Sequence, residues 1–139
     1  MPRKTDASNP ADWLWISASD LAGLRSLAAS ELSHEMCRGK LAEVLEKIIK
    51  AELIRLGWTL VKTHDLIFLS KELQARQSDL AAEARRLSTL LADAYLLDGY
   101  PGFDLNDPDW PAVRAQVEQV AALLAAVQAR VAGPDAPAP

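Results

Sequence analysis

Residues 41–56, LAEVLEKIIKAELIRL, decide the fold. Leu41, Val44, Leu45, Ile48, Ile49, Ala51 and Leu56 recur at helical spacing and build one broad apolar face, while Glu43, Glu46, Lys47 and Lys50 fall on the other side. The spacing predicts a helix over about 34–56, stopped at Gly57, a residue free to take the left-handed conformation that ends helices. Glu52 and Arg55 fall within the apolar face, three apart, in its last turn. Their expected role is a mutual ion pair at the edge of the core, the alternative being that one of them lines a pocket.

Upstream, Ser8 or Asn9 is placed to cap a helix with Pro10 in its first turn. Trp13, Ile16, Leu24 and Leu27 share a face of it, widened by Leu14, Leu21, Ala28 and Leu32. Asp20 lies inside that stripe, so it needs a partner or marks where the stripe meets water. Downstream, LGWTLVKTHDLIFL (56–69) reads as helix stop, loop and helix start. Thr63 is the expected N-cap, with His64 and Asp65 in the first turn and Asp65 favourable toward the helix dipole. Leu66, Leu69 and Leu73 share a face, ARQSDL (75–80) breaks the pattern with Ser78 as the next cap, and Leu80, Ala84, Leu87, Leu91, Ala94 and Tyr95 follow along one side. LLDGYPGFDLNDPDWP (96–111) is a loop by composition. Asp107 with Pro108, or Asp109 with Trp110, then opens a last helix ended by Gly133. Val113, Val117, Val120, Leu124, Val127 and Val131 recur there at 4-3-4-3-4, a seam for another helix within a bundle. The expectation is an all-α, antiparallel four- to five-helix bundle over 9–132, with a flexible 1–8 and a disordered tail at 133–139.

Composition agrees. In 139 residues half are hydrophobic but only 6% aromatic, so Ala and Leu carry the core, as helices prefer. Fifteen basic against nineteen acidic residues give −4, which excludes a surface devoted wholesale to nucleic acid and leaves only a local patch. The one cysteine, Cys37, cannot form an internal disulfide and is expected as buried filler in a reducing compartment. MPRKTDASNPADW (1–13) lacks the apolar core of a signal peptide, and no run approaches the roughly 20 apolar residues of a membrane span; a soluble, cytoplasmic protein is expected. His34 and His64 stand far apart, and neither HExxH nor CxxC occurs, so no metal is expected. A phosphate-cradling glycine loop and a G-x-S-x-G elbow are also missing, and no cofactor is expected.

Four segments carry a resemblance. EKIIKAELIRLG (46–57), KTHDL (62–66) opening a helix, YLLDGYP (95–101), and the early ISASDLAGL (16–24) resemble the HEPN family of small helical domains. That family shows an E-K-x-x-K-A helix, a T-H-D-L turn and a Y-x-x-x-R-Y-P segment, and the likeness spans about 10–131. The resemblance implies a helical bundle that dimerises. It also implies a minimal nucleotidyltransferase-like partner in a toxin–antitoxin or defence-type pair, and function as a ribonuclease, as a nucleotide- or RNA-binding module or as a noncatalytic domain. The metal-independent ribonucleases of the family use Arg and His separated by four to six residues. Here the positions that would hold arginine are Gly57, Trp58 and Thr59 for His64, and Leu27, Ala28 and Ala29 for His34. No catalytic residue is therefore assigned, although Arg55 and His64 could meet across the turn. Gly99 stands where the family has arginine, with Asp98 beside it, and Glu52 stands where an apolar residue is commoner; both departures weigh against nucleotide binding.

Two readings of His64 follow. In the structural one its imidazole bonds the preceding helix end, for example Glu52. In the functional one Lys47, Lys50, Lys62, Thr63 and His64 gather with Tyr95 and Tyr100 around a cleft that takes an anion, as a nucleotide phosphate or RNA. Ile54, Phe68 and Leu96 are candidates for exposed contact surface. A binding and assembly module leads; a small ribonuclease and a ligand-free structural dimer are the alternatives.

Overall fold

In the computed structural model, which describes residues 3–94 and 107–132, residues 41–55 lie on the helix every other helix touches. Five helices are described: α1 Pro10–Ala29, α2 His34–Arg55, α3 Leu66–Ala75, α4 Ala81–Leu91 and α5 Trp110–Val131. They pack together with no strand among the described residues, the all-α bundle expected. α1, α3, α4 and α5 all contact α2, and α5 also contacts α1. α2 is consequently buried on nearly every side, with Leu41, Val44, Leu45, Ile48 and Leu53 wholly inaccessible. At about 1.5–3 kcal/mol for each large apolar side chain buried, this helix is the chief source of stabilisation.

Elements joined by short turns, α1 with α2 and α3 with α4, form helical hairpins. α2 and α5, far apart in sequence, run the same way. At one end the His34 ring meets Trp110 edge-on at 5.2 Å and accepts the Asp109 N–H through Nε2 at 3.2 Å. At the other, Arg130 reaches Glu52. The valine seam of α5 is buried from Val113 to Val127, with Val131 partly buried at its edge.

The caps refine the expected boundaries. Asn9 caps α1, its Oδ1 accepting the Ala11 N–H at 3.0 Å. Asp109 caps α5 through the Ala112 N–H at 3.0 Å, resolving the two expected start sites. Thr63 is not the cap of α3. Asp65 is, accepting the Phe68 N–H at 3.0 Å, so Thr63 and His64 lie before the helix, and Thr63 Oγ1 instead accepts the Asp65 N–H at 3.1 Å. Ser78 opens the turn into α4, its Oγ accepting the Leu80 N–H at 3.2 Å, while α4 itself starts at Ala81.

A second correction concerns the supposed solvent face of α2. Glu46 is 5% exposed and Lys50 4%, not open to water. Four packed neighbours leave little of this helix uncovered, and the two side chains neutralise one another one turn apart. Ile54, expected to be exposed, is half-buried and packs against the core. Cys37 is buried, its thiol donating to the Leu32 carbonyl at 3.3 Å, and burial pushes its pKa above the ordinary value. No helix among the described residues is long and apolar enough to cross a membrane.

Candidate functional site

The turn that carries His64 is anchored at both ends. Gly57 takes φ +94° after α2, and the Trp58 N–H bonds the Leu53 carbonyl at 2.9 Å while the Gly57 N–H bonds that of Ile54 at 3.0 Å. This doubled pattern is the left-handed helix stop that glycine permits. Trp58 then buries its ring, leaving only 7% exposed, and pins the start of the loop. From there the chain returns along α2 without regular structure until Asp65 caps α3.

His64 ends this return against α2. Its Nδ1 lies 2.8 Å from Glu46 Oε1, and Glu46 Oε2 accepts from Lys50 Nζ at 2.9 Å. Lys50 Nζ in turn sits 5.5 Å from the centroid of the Trp13 ring on α1, a favourable place for a cation. The expected partner Glu52 is the wrong carboxylate. Glu46 and Glu52 are six residues apart, about 9 Å along the helix and about 240° around it, so the returning loop meets only the first.

The chain Trp13–Lys50–Glu46–His64 runs from the core to the surface. The Glu46 side chain is 7% exposed and the Lys50 side chain 5%, whereas that of His64 is 79% exposed. A carboxylate is acceptor-only, so Nδ1 carries the proton it donates and Nε2 is the ring nitrogen turned from Glu46. The imidazole is thus oriented, at the surface, by a buried carboxylate.

The remaining candidates are placed as follows. Lys47 is half-buried beside Glu46, Lys62 is exposed in the His64 loop, and Thr63 is half-buried there. Lys50 belongs to the inner end of the chain. Asp20 is half-buried on α1. Tyr95, Tyr100, Leu96, Asp98 and Gly99 lie outside the described residues. Phe68 is exposed at 37%.

Glu52 and Arg55 do pair, and they do so within a larger junction. Glu52, 1% exposed, accepts from Arg55 Nε and from Arg130 Nη1 at 2.6 Å, and Arg130 Nη2 lies 2.6 Å from Asp79. Hydrogen bonding to Asp79 first, and to Glu52, holds the Arg130 guanidinium above even its ordinary high pKa. Arg55 thus bonds Glu52, and His64 bonds Glu46. His34 is likewise occupied, between Glu35 Oε1 at 2.7 Å from Nδ1 and the Asp109 N–H. Among the described residues no three His, Cys, Asp or Glu side chains converge as a metal site.

Sequence reading missed Trp13 and Glu46 as members of the His64 chain, and Arg130 as a partner of Glu52. For Glu46 a signal existed, the i,i+4 spacing to Lys50. For Arg130, 78 residues away, there was none.

A family model described as HEPN domain matches residues 11–129. No curated protein and no solved structure matches.

Proposed function

The chain belongs to the HEPN domain family, and from that premise we propose that it is a binding and assembly module whose His64 turn holds a phosphate group of a nucleotide or RNA. One observation carries the reading: an imidazole 79% exposed is oriented by a carboxylate 7% exposed, itself paired with a buried lysine. Burying that ion pair is no route to stability, since apolar residues of similar volume serve as well or better. Fixing an exposed side chain also costs rotamer freedom without hiding apolar surface. Preorganisation for a ligand accounts for both. Lys62 in the same loop and Lys47 beside Glu46 supply cationic charge for a phosphate.

As an assembly module the chain forms a homodimer and partners a nucleotidyltransferase-like protein in a toxin–antitoxin or defence-type pair. Leu32 and Met36, exposed where α2 begins, and Leu90, exposed where α4 ends, offer apolar surface at one end of the bundle, with Arg38 bonding the Leu90 carbonyl there. The direct test is calorimetric titration of the chain with pyrophosphate, nucleotides and short single-stranded RNA, alongside melting curves. Binding raises the melting temperature, and His64→Ala and Lys62→Ala abolish the rise. No heat with any of these probes defeats the reading.

A second reading, a metal-independent ribonuclease, is favoured by the carboxylate behind the imidazole, the arrangement of a general base. It requires a cation at the phosphate, which Arg55 does not supply while it bonds Glu52. Growth arrest on expression, relieved by His64→Ala, would establish it over the first.

A further inference from the structure

We propose that the groove of about 590 Å3 between the segment preceding α1 and the loop following α2 is the base subsite for a guanine nucleotide whose phosphates reach the His64 turn. This rests on the phosphate reading above and gives it a ligand. The volume falls within the range of about 300–1,000 Å3 typical of small-molecule sites. Ile54, Trp58 and Leu60 supply apolar wall for a flat ring, and Asp6 and Ser8 supply the polar rim.

Asp6 gives the rim its selectivity. Its Oδ1 accepts the Ser8 Oγ–H at 2.7 Å and the Ser8 N–H at 2.8 Å, and no hydrogen bond to Oδ2 occurs among the described residues. Those two bonds, the hydroxyl's first, hold the carboxyl below its ordinary pKa, so it is ionised and accepts only. Guanine presents adjacent ring N–H and amino donors to such a group. Adenine presents a ring lone pair beside its amino group, which the carboxylate repels.

The segment carrying Asp6 is fixed independently of any ligand. The Asp6 N–H bonds Asp12 Oδ2 at 2.9 Å, Arg3 pairs with the same carboxylate at 3.1 Å, and Trp13 Nε1 donates to the Ala7 carbonyl at 2.8 Å. Charge then fixes the ligand's direction. The carboxylate rim repels phosphates, whereas the loop that walls the groove at Leu60 continues to Lys62 and His64. At about 3.3 Å per residue these lie within about 7 and about 13 Å of Leu60, the span of a nucleoside diphosphate.

The test titrates the full chain with GDP, ADP, guanosine and inorganic pyrophosphate, and repeats it on Asp6→Asn, Thr59→Trp and His64→Ala, each first shown folded by circular dichroism. Asp6 and Thr59 are exposed, so the first two changes leave the core intact. The expected result is GDP binding roughly tenfold tighter than ADP, the scale of one charge-assisted hydrogen bond from the base to Asp6 Oδ2. Asp6→Asn erases that preference, Thr59→Trp blocks GDP and guanosine, and neither alters pyrophosphate. Equal affinity for GDP, ADP and pyrophosphate, or a preference that survives Asp6→Asn, overturns the base subsite while the phosphate reading stands. Guanosine and GDP binding alike, untouched by His64→Ala, overturns the phosphate reading while the groove stands. Silence from all four probes overturns both.

Discussion

α2 buries two carboxylates six residues apart, and the protein treats them differently. Glu52 receives Arg55 from its own helix and Arg130 from α5, and Arg130 passes on to Asp79 in the turn before α4. Three parts of the chain are tied at one point. Glu46 receives Lys50 from its own helix and His64 from the returning loop, and the imidazole faces water. A buried charge whose partners come from several elements specifies how those elements sit. A buried charge whose outermost partner lies on the surface specifies how that partner is presented. The first is architecture, the second presentation.

The comparison can be broken by substitution, beginning at Glu52. Glu52→Ala strands two arginines, but each is about one-third exposed and can turn to water, so the cost is expected nearer about 2–4 kcal/mol than the full penalty for a sealed pair. Urea unfolding would measure it, and a loss below that of Glu46→Ala would reverse the assignment of roles. Glu46→Ala leaves the 4%-exposed Lys50 ammonium without its carboxylate, for about 2–3 kcal/mol. Here a second change separates presentation from architecture. Glu46→Leu with Lys50→Met should recover most of that stability and still lose phosphate binding, whereas recovery of both would show that the buried pair orients nothing. His64→Ala should change stability by less than about 0.5 kcal/mol, because the imidazole is largely exposed and Glu46 keeps Lys50, while removing the binding heat. The smallest effect is expected at Arg25–Glu118, an exposed bridge at 2.9 Å between α1 and α5. The Arg25 hydrogen bond holds Glu118 below its ordinary pKa of 4.5, so whatever the pair contributes is present above that pH and fades on acidification. Arg25→Ala should leave the neutral-pH midpoint at the wild-type value, and an acid titration of the two proteins would show any difference closing as pH falls.

The five helices were legible because apolar spacing and stop signals are local. The valine seam of α5, the glycine after Leu56 and the break at 75–80 each announce themselves within a few residues. The Glu52–Arg55 pair was legible for the same reason. What lay out of reach was which polar residues would be covered. Glu46 and Lys50 read as solvent-facing because their own helix has an apolar opposite side; only the arrival of α1 with Trp13, and of the loop with His64, encloses them. The cap of α3 was misplaced by two residues because Thr63 and Asp65 are both good caps, and the choice depends on where the loop is pinned.

The parallel course of α2 and α5 sets an order of events for the growing chain. α1 and α2 can zip into a hairpin as soon as they emerge, yet the faces they later share with Val113, Val117 and Val120 stay wet until about sixty further residues have been made. Maturation therefore ends with a clasp, His34 on Trp110 at one end and Glu52 on Arg130 at the other. A ribosome stalled before residue 110 would display an adhesive hairpin that invites chaperones.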